Sequence, residues 1–440
     1  MNMRQIVRRL SIVVLTFVAS SCALGGQAPN ASTATCSGTW APQFQLQHDG
    51  RPVFVDPGLI APLGDRMLVL GTPTFFWLGR DSMVTSASLA ADPALKRWSF
   101  SRAGALIDAA GNADGVPRID TAAFRKAPRL IGIHGSEVSV AWEASGPPYN
   151  ENTEFFPVGT RVEIATFRDG RWTAPETIMR ARRLYFDGMP AVRPVPGADL
   201  GVVAAMVVDP DGTVFRVAQR RGATWSIADW SGAMRFYRAE ALPTSDGSIA
   251  LVMLVSMKDP DRGLYSVRGV WSGDSVTWSP PIPLDSIGRT SNNFASARLG
   301  GDSLIVVRSR TESRGARPGD LMTALSVDGG RAWQQTAPLA IGSEINPRLI
   351  VDATGLLHLM YRGSFQPTLF NAPGAIMHAV WRRGEWSPPE VVSASTSVTS
   401  PAVGLAPGGR VLVTWTDAKL DQGGTELKTA ARLWSPSCGR

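Results

Sequence analysis

Cysteine is nearly absent from this chain of 440 residues: there are three, Cys22, Cys36 and Cys438. Tyrosine numbers five and histidine four. The histidines His48, His134, His358 and His378 are scattered. His358 and His378 read as cross-strand neighbours, but two histidines without acids beside them make a poor metal site, so no metal and no cofactor is expected. Asp209-Pro-Asp211-Gly212 and Lys258-Asp259-Pro-Asp261 lack the run of oxygen ligands a calcium loop needs and sit where turns are expected. There is no phosphate-cradling glycine motif and no nucleophile elbow. No Lys/Arg run is dense enough for nucleic acid. Beyond the first residues no apolar run reaches membrane-spanning length.

What is present begins with residues 1–21. Arg4, Arg8 and Arg9 form a positive segment, and Ile12 to Ala19 a short apolar one, followed by Ser20, Ser21 and Cys22. That pattern is a signal peptide rather than a membrane span. Loss of those three arginines lowers the formal net charge from +7 to +4. Val18-Ala19-Ser20-Ser21-Cys22 resembles a lipobox, with Ala19 where such motifs usually carry Leu; an ordinary cleavage site after Ser21 is the alternative. Lipid on Cys22 would leave Cys36 and Cys438 as an even pair able to join the two ends by a disulfide in an oxidising compartment. Residues 22–35, rich in Gly, Ala, Ser and Asn, read as a flexible tether. The expected location is the bacterial cell envelope, lipid-anchored on the periplasmic side or at the surface.

Residues 36–440 carry an internal repeat. A Trp followed by Pro recurs as Trp172-Thr-Ala-Pro175, Trp278-Ser-Pro280-Pro281, Trp333 to Pro338 and Trp386-Ser-Pro388-Pro389, with Trp225-Ser226 between the first two. Spacings from Trp172 are 53, 53, 55 and 53 residues, the period of a four-stranded propeller blade. Short β-rich runs bounded by Gly, Asp or Pro support antiparallel strands. Prolines just after the Trp assign that segment to an outer edge strand, where a missing N–H is tolerated. The last unit lacks a fourth strand, which Cys36-Ser-Gly-Thr-Trp40-Ala-Pro42 can supply, bringing Cys36 beside Cys438. The expectation is an all-β propeller of four-stranded antiparallel blades closed by the N-terminal strand. Trp signals at 40, 98, 172, 225, 278, 333 and 386 favour seven blades, with six as the alternative because the unit ending at Trp98 is irregular.

Ser326-Val-Asp328-Gly-Gly330-Arg-Ala-Trp333 matches the Asp-box pattern S-x-D-x-G-x-x-W in full. Ser272-Gly-Asp274-Ser-Val-Thr-Trp278 is one residue short of it. On these residues the chain resembles the sialidase-like (BNR repeat) β-propeller superfamily. The resemblance implies fold more than function, since the box lies on hairpins away from the site and the fold hosts many activities. A sialidase would carry three arginines gripping a carboxylate, an early Arg-Ile-Pro-type motif, a Tyr activated by a Glu, and an Asp acid/base. No Arg-Ile-Pro stands here. The nearest nucleophile pair is Tyr237 with Glu240, which three residues apart fall on opposite faces of a regular strand.

Arg129, Arg193 and Arg348 occupy similar places at the start of the presumed first strand of three units, with Arg298 near that place in another. Gathered at one mouth they would suit a carboxylate or sulfate; the bland alternative is local pairing with acids or solvent. The leading reading is an envelope-anchored binding propeller for a glycan, an acidic one if the arginines converge, or for a protein. An exo-sialidase-like glycoside hydrolase is the enzyme rival, and a platform for envelope protein assembly the third reading. The balance leans away from an enzyme, and membrane contact is expected through the lipid anchor alone.

Overall fold

The repeated Trp-[Ser/Thr]-x-Pro sets the local structure. A computed structural model of the chain describes residues 36–48, 51–52, 57–71, 75–77, 83–85, 104–107, 110, 113–115, 129–134, 137–144, 161–180, 183–185, 201–209, 212–222, 224–232, 236–255, 263–284, 294–311, 318–336, 339, 347–364, 374–395, 398, 401–421 and 424–438. They form an all-β propeller with four-stranded antiparallel blades.

Six sheets follow one plan, and we number them as blades I to VI. Blade I holds Arg129–His134, Glu137–Ala144, Arg161–Arg168 and Arg171–Trp172; blade II holds Arg183–Tyr185, Val202–Asp209, Gly212–Arg221 and Thr224–Trp230. Blade III holds Phe236–Pro243, Ile249–Val255, Gly263–Ser272 and Ser275–Trp278; blade IV holds Phe294–Gly300, Ser303–Thr311, Pro318–Ser326 and Gln334–Gln335. Blade V holds Arg348–Val351, Leu357–Ser364, Gly374–Arg382 and Glu385–Trp386. Blade VI holds Ala402–Ala406, Arg410–Asp421 and Gly424–Cys438, with Cys36–Trp40 as its outer strand. In that pairing Cys36 stands opposite Cys438 and Trp40 opposite Trp434.

The proline acts where expected. In blades I, III, V and VI the outer strand is broken in two, and both pieces pair with the third strand. Blade II has no proline after Trp225, and its outer strand runs unbroken over Thr224–Trp230. The residue after the Trp bridges the break. Ser279 N donates to Arg268 O at 2.8 Å while its Oγ accepts from Arg268 N at 2.9 Å. Ser387 does the same to Val380, and Thr173 to Thr166. The hydroxyl thus satisfies a ladder N–H that would otherwise lose its acceptor.

The seven-blade count is overturned: the structure has six blades, the alternative count. Trp98 lies outside the described residues. Pro57–Leu63, Arg66–Gly71, Gly104–Ile107 and Ala113–Gly115 form a sheet whose second and third strands are separated by residues 72–103, which include a hairpin of Phe75–Trp77 and Met83–Thr85. Its last strand is three residues long and carries no Trp. This sheet packs Ile60, Met67 and Val69 against blade VI, and Leu59, Ala61 and Leu68 against blade I. At Gly404 of blade VI a Cβ would stand 2.4 Å from Ile60 O, so only glycine admits this approach.

Core packing lies between blades. Ile305 and Val307 of blade IV pack with Leu357, Leu359 and Tyr361 of blade V, and Ile350, Met360 and Ile376 of blade V with Val411, Val413 and Trp415 of blade VI. The outer-strand tryptophans continue this outward and reach the preceding blade. Trp278 Nε1 donates to Asp229 O of blade II at 2.9 Å, and Trp386 Nε1 to Thr323 Oγ1 of blade IV at 2.9 Å. Trp333 packs against Val252 and Leu264 of blade III. Replacing Trp278 or Trp386 by Ala is expected to cost about 3 kcal/mol each, from lost burial and a vacated interface. Chemical denaturation checks this; losses below about 1 kcal/mol, typical of surface positions, would contradict the inter-blade role.

Candidate functional site

Antiparallel blades have two distinct ends. Hairpins joining first to second and third to fourth strands fall at one end, and the first strands begin at the other. Arg129 and Arg348 are the opening residues of the first strands of blades I and V, opposite Ala141 and Met360. Arg193 lies outside the described residues. Arg298 belongs elsewhere. The first strand of blade IV begins at Phe294, so Arg298 sits four residues further on, about 13 Å along the strand. There its Nε donates to Gly301 O at 2.7 Å, and burial pushes its guanidinium pKa down while Asp302 opposes this.

Glu240 is buried, and its Oε2 accepts from Ser296 N at 2.7 Å and Ser296 Oγ at 2.6 Å. It therefore ties the first strand of blade III to that of blade IV. Tyr237 is the extra residue of a bulge, where Phe236 pairs with Val255 and Arg238 with Leu254. The strand is irregular at that residue, so strict alternation does not govern the relation between Tyr237 and Glu240.

The hairpin end carries the Asp-box residues. Ser326 Oγ donates to Asp328 Oδ1 at 2.8 Å and accepts from Gly330 N at 2.8 Å. Asp328 Oδ1 also accepts from Arg331 N and Ala332 N, each at 3.0 Å. Gly330 has φ 85°, and a Cβ there would meet Ala250 Cβ at 3.1 Å, so both backbone and space call for glycine. Arg331 Nη2 then reaches Asp246 Oδ2 of blade III at 3.1 Å. Asp246 is also held by Thr244, Ser248 and Arg268. Burial opposes its ionisation, yet hydrogen bonds from Ser248 and Thr244 and the Arg268 guanidinium hold its carboxyl well below the usual range. Next to it, Ser245 N donates to Asp302 Oδ1 at 2.9 Å. This end carries a turn-locking network, and its Asp246 hairpin also borders a pocket of about 340 Å³.

A depressed carboxyl pKa contributes stability that is present above the unfolded value and lost as pH falls through the acid range. Asp246→Asn is therefore expected to shrink the loss of thermal stability on going from pH 6 to pH 3. Equal losses in variant and parent, followed by melting curves, would show that this network carries none of the acid sensitivity.

An open cleft of about 510 Å³ between blades I and II is lined by Met179, Arg180, Arg216, Ile227 and Asp229. Its half-buried Arg216 is already paired: Nε and Nη2 donate to Asp229 Oδ1 and Oδ2, both at 2.8 Å. Among the described residues no group of three or more His, Cys, Asp or Glu is arranged to hold a metal ion. The histidine reading still needs correction. His358 and His378 are cross-strand neighbours whose rings bond directly, and both have acids: Asp352 on one side and Glu390 on the other. Asp352 comes from the blade V hairpin and Glu390 from the broken outer strand, positions that a proline-interrupted strand hides from simple spacing.

No family model matches the chain, and no curated protein sequence matches it. Solved structures with a similar fold include a protein of unknown function from Dyadobacter fermentans, at 16% identity and TM-score 0.42, covering 70% of this chain and 93% of that one. Trypanosoma rangeli sialidase matches at 9% identity and TM-score 0.42, over 90% of this chain and 59% of its own length. Penicillium chrysogenum alpha-L-arabinanase matches at 14% identity and TM-score 0.41, over 69% and 92%.

Proposed function

We propose that this protein is an exported, lipid-anchored component of a bacterial envelope whose closed propeller binds an acidic glycan at the end where its first strands begin. The observation that carries the reading is the equivalent placement of Arg129 and Arg348, each the opening residue of an inner strand. Arg193 does not open a first strand: that of blade II is Arg183–Tyr185, so Arg193 falls between the first and second strands, outside the described residues, and the set rests on Arg129 and Arg348. Guanidinium forks suit planar carboxylates, and opening positions of inner strands border the central channel, where a compact core has no need of charge. Binding without hydrolysis is the reading because no Arg-Ile-Pro-type motif stands in the sequence, and Glu240 is hydrogen-bonded to Ser296 within a blade interface.

Arg348→Ala is expected to weaken binding to sialylated or uronate-bearing glycans at least about tenfold, the scale of one charged hydrogen bond. Added salt should weaken it further, and a fluorogenic sialoside should not turn over. Robust turnover would make the protein a glycoside hydrolase, and an acidic-glycan array without hits would remove the ligand class.

The domain plan in this reading is a leader over residues 1–21, a tether over 22–35 lipidated at Cys22, and one propeller over 36–440. Facing residues of paired antiparallel strands have Cα atoms about 4.5–5.5 Å apart, within the span a disulfide needs. Cys36 and Cys438 face each other in this way, which supports a bond between them. The chain-entropy model credits such a long-loop crosslink with about 5–6 kcal/mol. Mass mapping without reductant should recover a Cys36–Cys438 peptide, and Cys22→Ser should release the protein from membranes. Free thiols at both positions, or unchanged membrane association, would refute the respective element.

A further inference from the structure

Four side chains form a continuous chain of hydrogen bonds through blade V. Asp352 Oδ2 lies 3.2 Å from His358 Nε2, His358 Nδ1 2.9 Å from His378 Nε2, and His378 Nδ1 2.7 Å from Glu390 Oε1. Both imidazoles are buried, as is the Asp352 side chain, while the Glu390 side chain is 51% exposed. Indoles from blade VI enclose the rings: Trp434 lies 5.0 Å from His378 and 5.5 Å from His358, and Trp40 meets His378 edge-on at 5.0 Å. Trp40 Nε1 also donates to Glu390 Oε1 at 2.9 Å.

The proton count of this chain is constrained by chemistry. An ionised carboxylate only accepts, so each acid end needs an N–H from the ring it faces. The bond between the rings needs one N–H more. Three protons on four ring nitrogens is one more than two neutral imidazoles hold. With only two, one of the three contacts would set lone pair against lone pair inside a water-free site.

We propose that His358 and His378 bind one shared proton, an imidazolium delocalised over the pair and clamped between Asp352 and Glu390, and that this proton helps fasten the N-terminal strand to blade V through Trp40. Both acids are suited to the clamp. Burial opposes ionisation of Asp352, but hydrogen bonds from His358 and Thr354 hold its carboxyl below the ordinary range. The hydrogen bond from His378, and that from Trp40, do the same for Glu390 against its partial burial. Burial pushes His378 down and Arg382 adds to this, with only partial compensation from Glu390, so the shared charge is held against desolvation by the geometry of the three contacts. Arg432, 5.7 Å from the Trp40 ring, is the further charge acting on Glu390. The pair thus holds a single positive charge between two negative ones, with the arginines at its solvent side.

The direction of the pH effect follows. A free histidine titrates near about 6.5, so a proton retained above that value in the fold and released on unfolding stabilises the fold fully below about pH 6.5. The contribution fades as pH rises through the higher value of the folded pair. Glu390→Gln separates this from simple packing. Glu390 is half exposed, so the fold survives, and an amide can turn its N–H₂ toward His378 Nδ1, which removes the need for the third proton. Ring nitrogen shifts of the full-length ¹⁵N-labelled protein at pH 7 should show three protonated nitrogens in the pair, and two in Glu390→Gln. Between pH 6 and pH 9 the folding equilibrium of the parent should fall at least about tenfold relative to that of Glu390→Gln, the effect of one pKa unit. Two neutral rings in the parent at pH 7, or identical pH slopes for parent and variant, would overturn the proposal.

Discussion

The structure depends on one contact repeated around the array: an outer-strand tryptophan laid onto the blade before it. Flat antiparallel sheets have no intrinsic reason to stack at a fixed angle, and buried aliphatic faces slide with little penalty. An indole that also donates its N–H to the neighbour pins the rotation. Trp278 does this through Asp229 O, Trp386 through Thr323, and Trp40 through Glu390. Aromatic burial supplies the energy, and the single polar handle supplies the register.

That contact is why the fold was legible in the sequence. A Trp every 53 to 55 residues is a period too long for a helix or hairpin and right for a blade. The proline two or three residues on, and its absence after Trp225, mark which outer strands are broken. Even the missing fourth strand of the last blade could be located, because Trp40-Ala-Pro42 repeats the same signal at the other end of the chain. The blade count was less legible. Trp98 looks like a member of the series, but spacing alone does not reveal the hairpin inserted between two strands of its sheet.

Site residues were harder to read, because a propeller converts small errors of register into large displacements. Arg298 was expected near the opening of a first strand, yet it sits four residues beyond Phe294, toward the hairpin end of its strand. Glu240 stands three residues after Tyr237, but neither the bulge at Tyr237 nor the hydrogen bonds that Glu240 accepts from Ser296 of the next blade can be read from spacing. The histidine chain was missed for the same reason. Its acids lie six residues before His358 and twelve after His378, on a turn and on an interrupted strand, where neither a period of two nor a period of 3.6 applies.

Blade VI concentrates these constraints in one place. Its outer strand comes from the opposite end of the chain, so no local connection holds it, and its pairing must offset the entropy of a loop spanning almost the entire chain. Five facing residue pairs and the indole of Trp40 share that load. Trp40 packs edge-on against Trp434 within its own blade and against His378 of blade V, and donates to Glu390 there. A single residue therefore joins the N-terminal strand, the last strand and the preceding blade. Displacing the N-terminal strand would therefore disturb this indole and the histidine pair beneath it. A buried charge bonded on both sides resists such displacement better than apolar contact alone, because separating it leaves an unpaired charge away from water. The hydrogen-bonded chain from Asp352 to Glu390 thus lies beneath an outer strand that has no local connection to its blade.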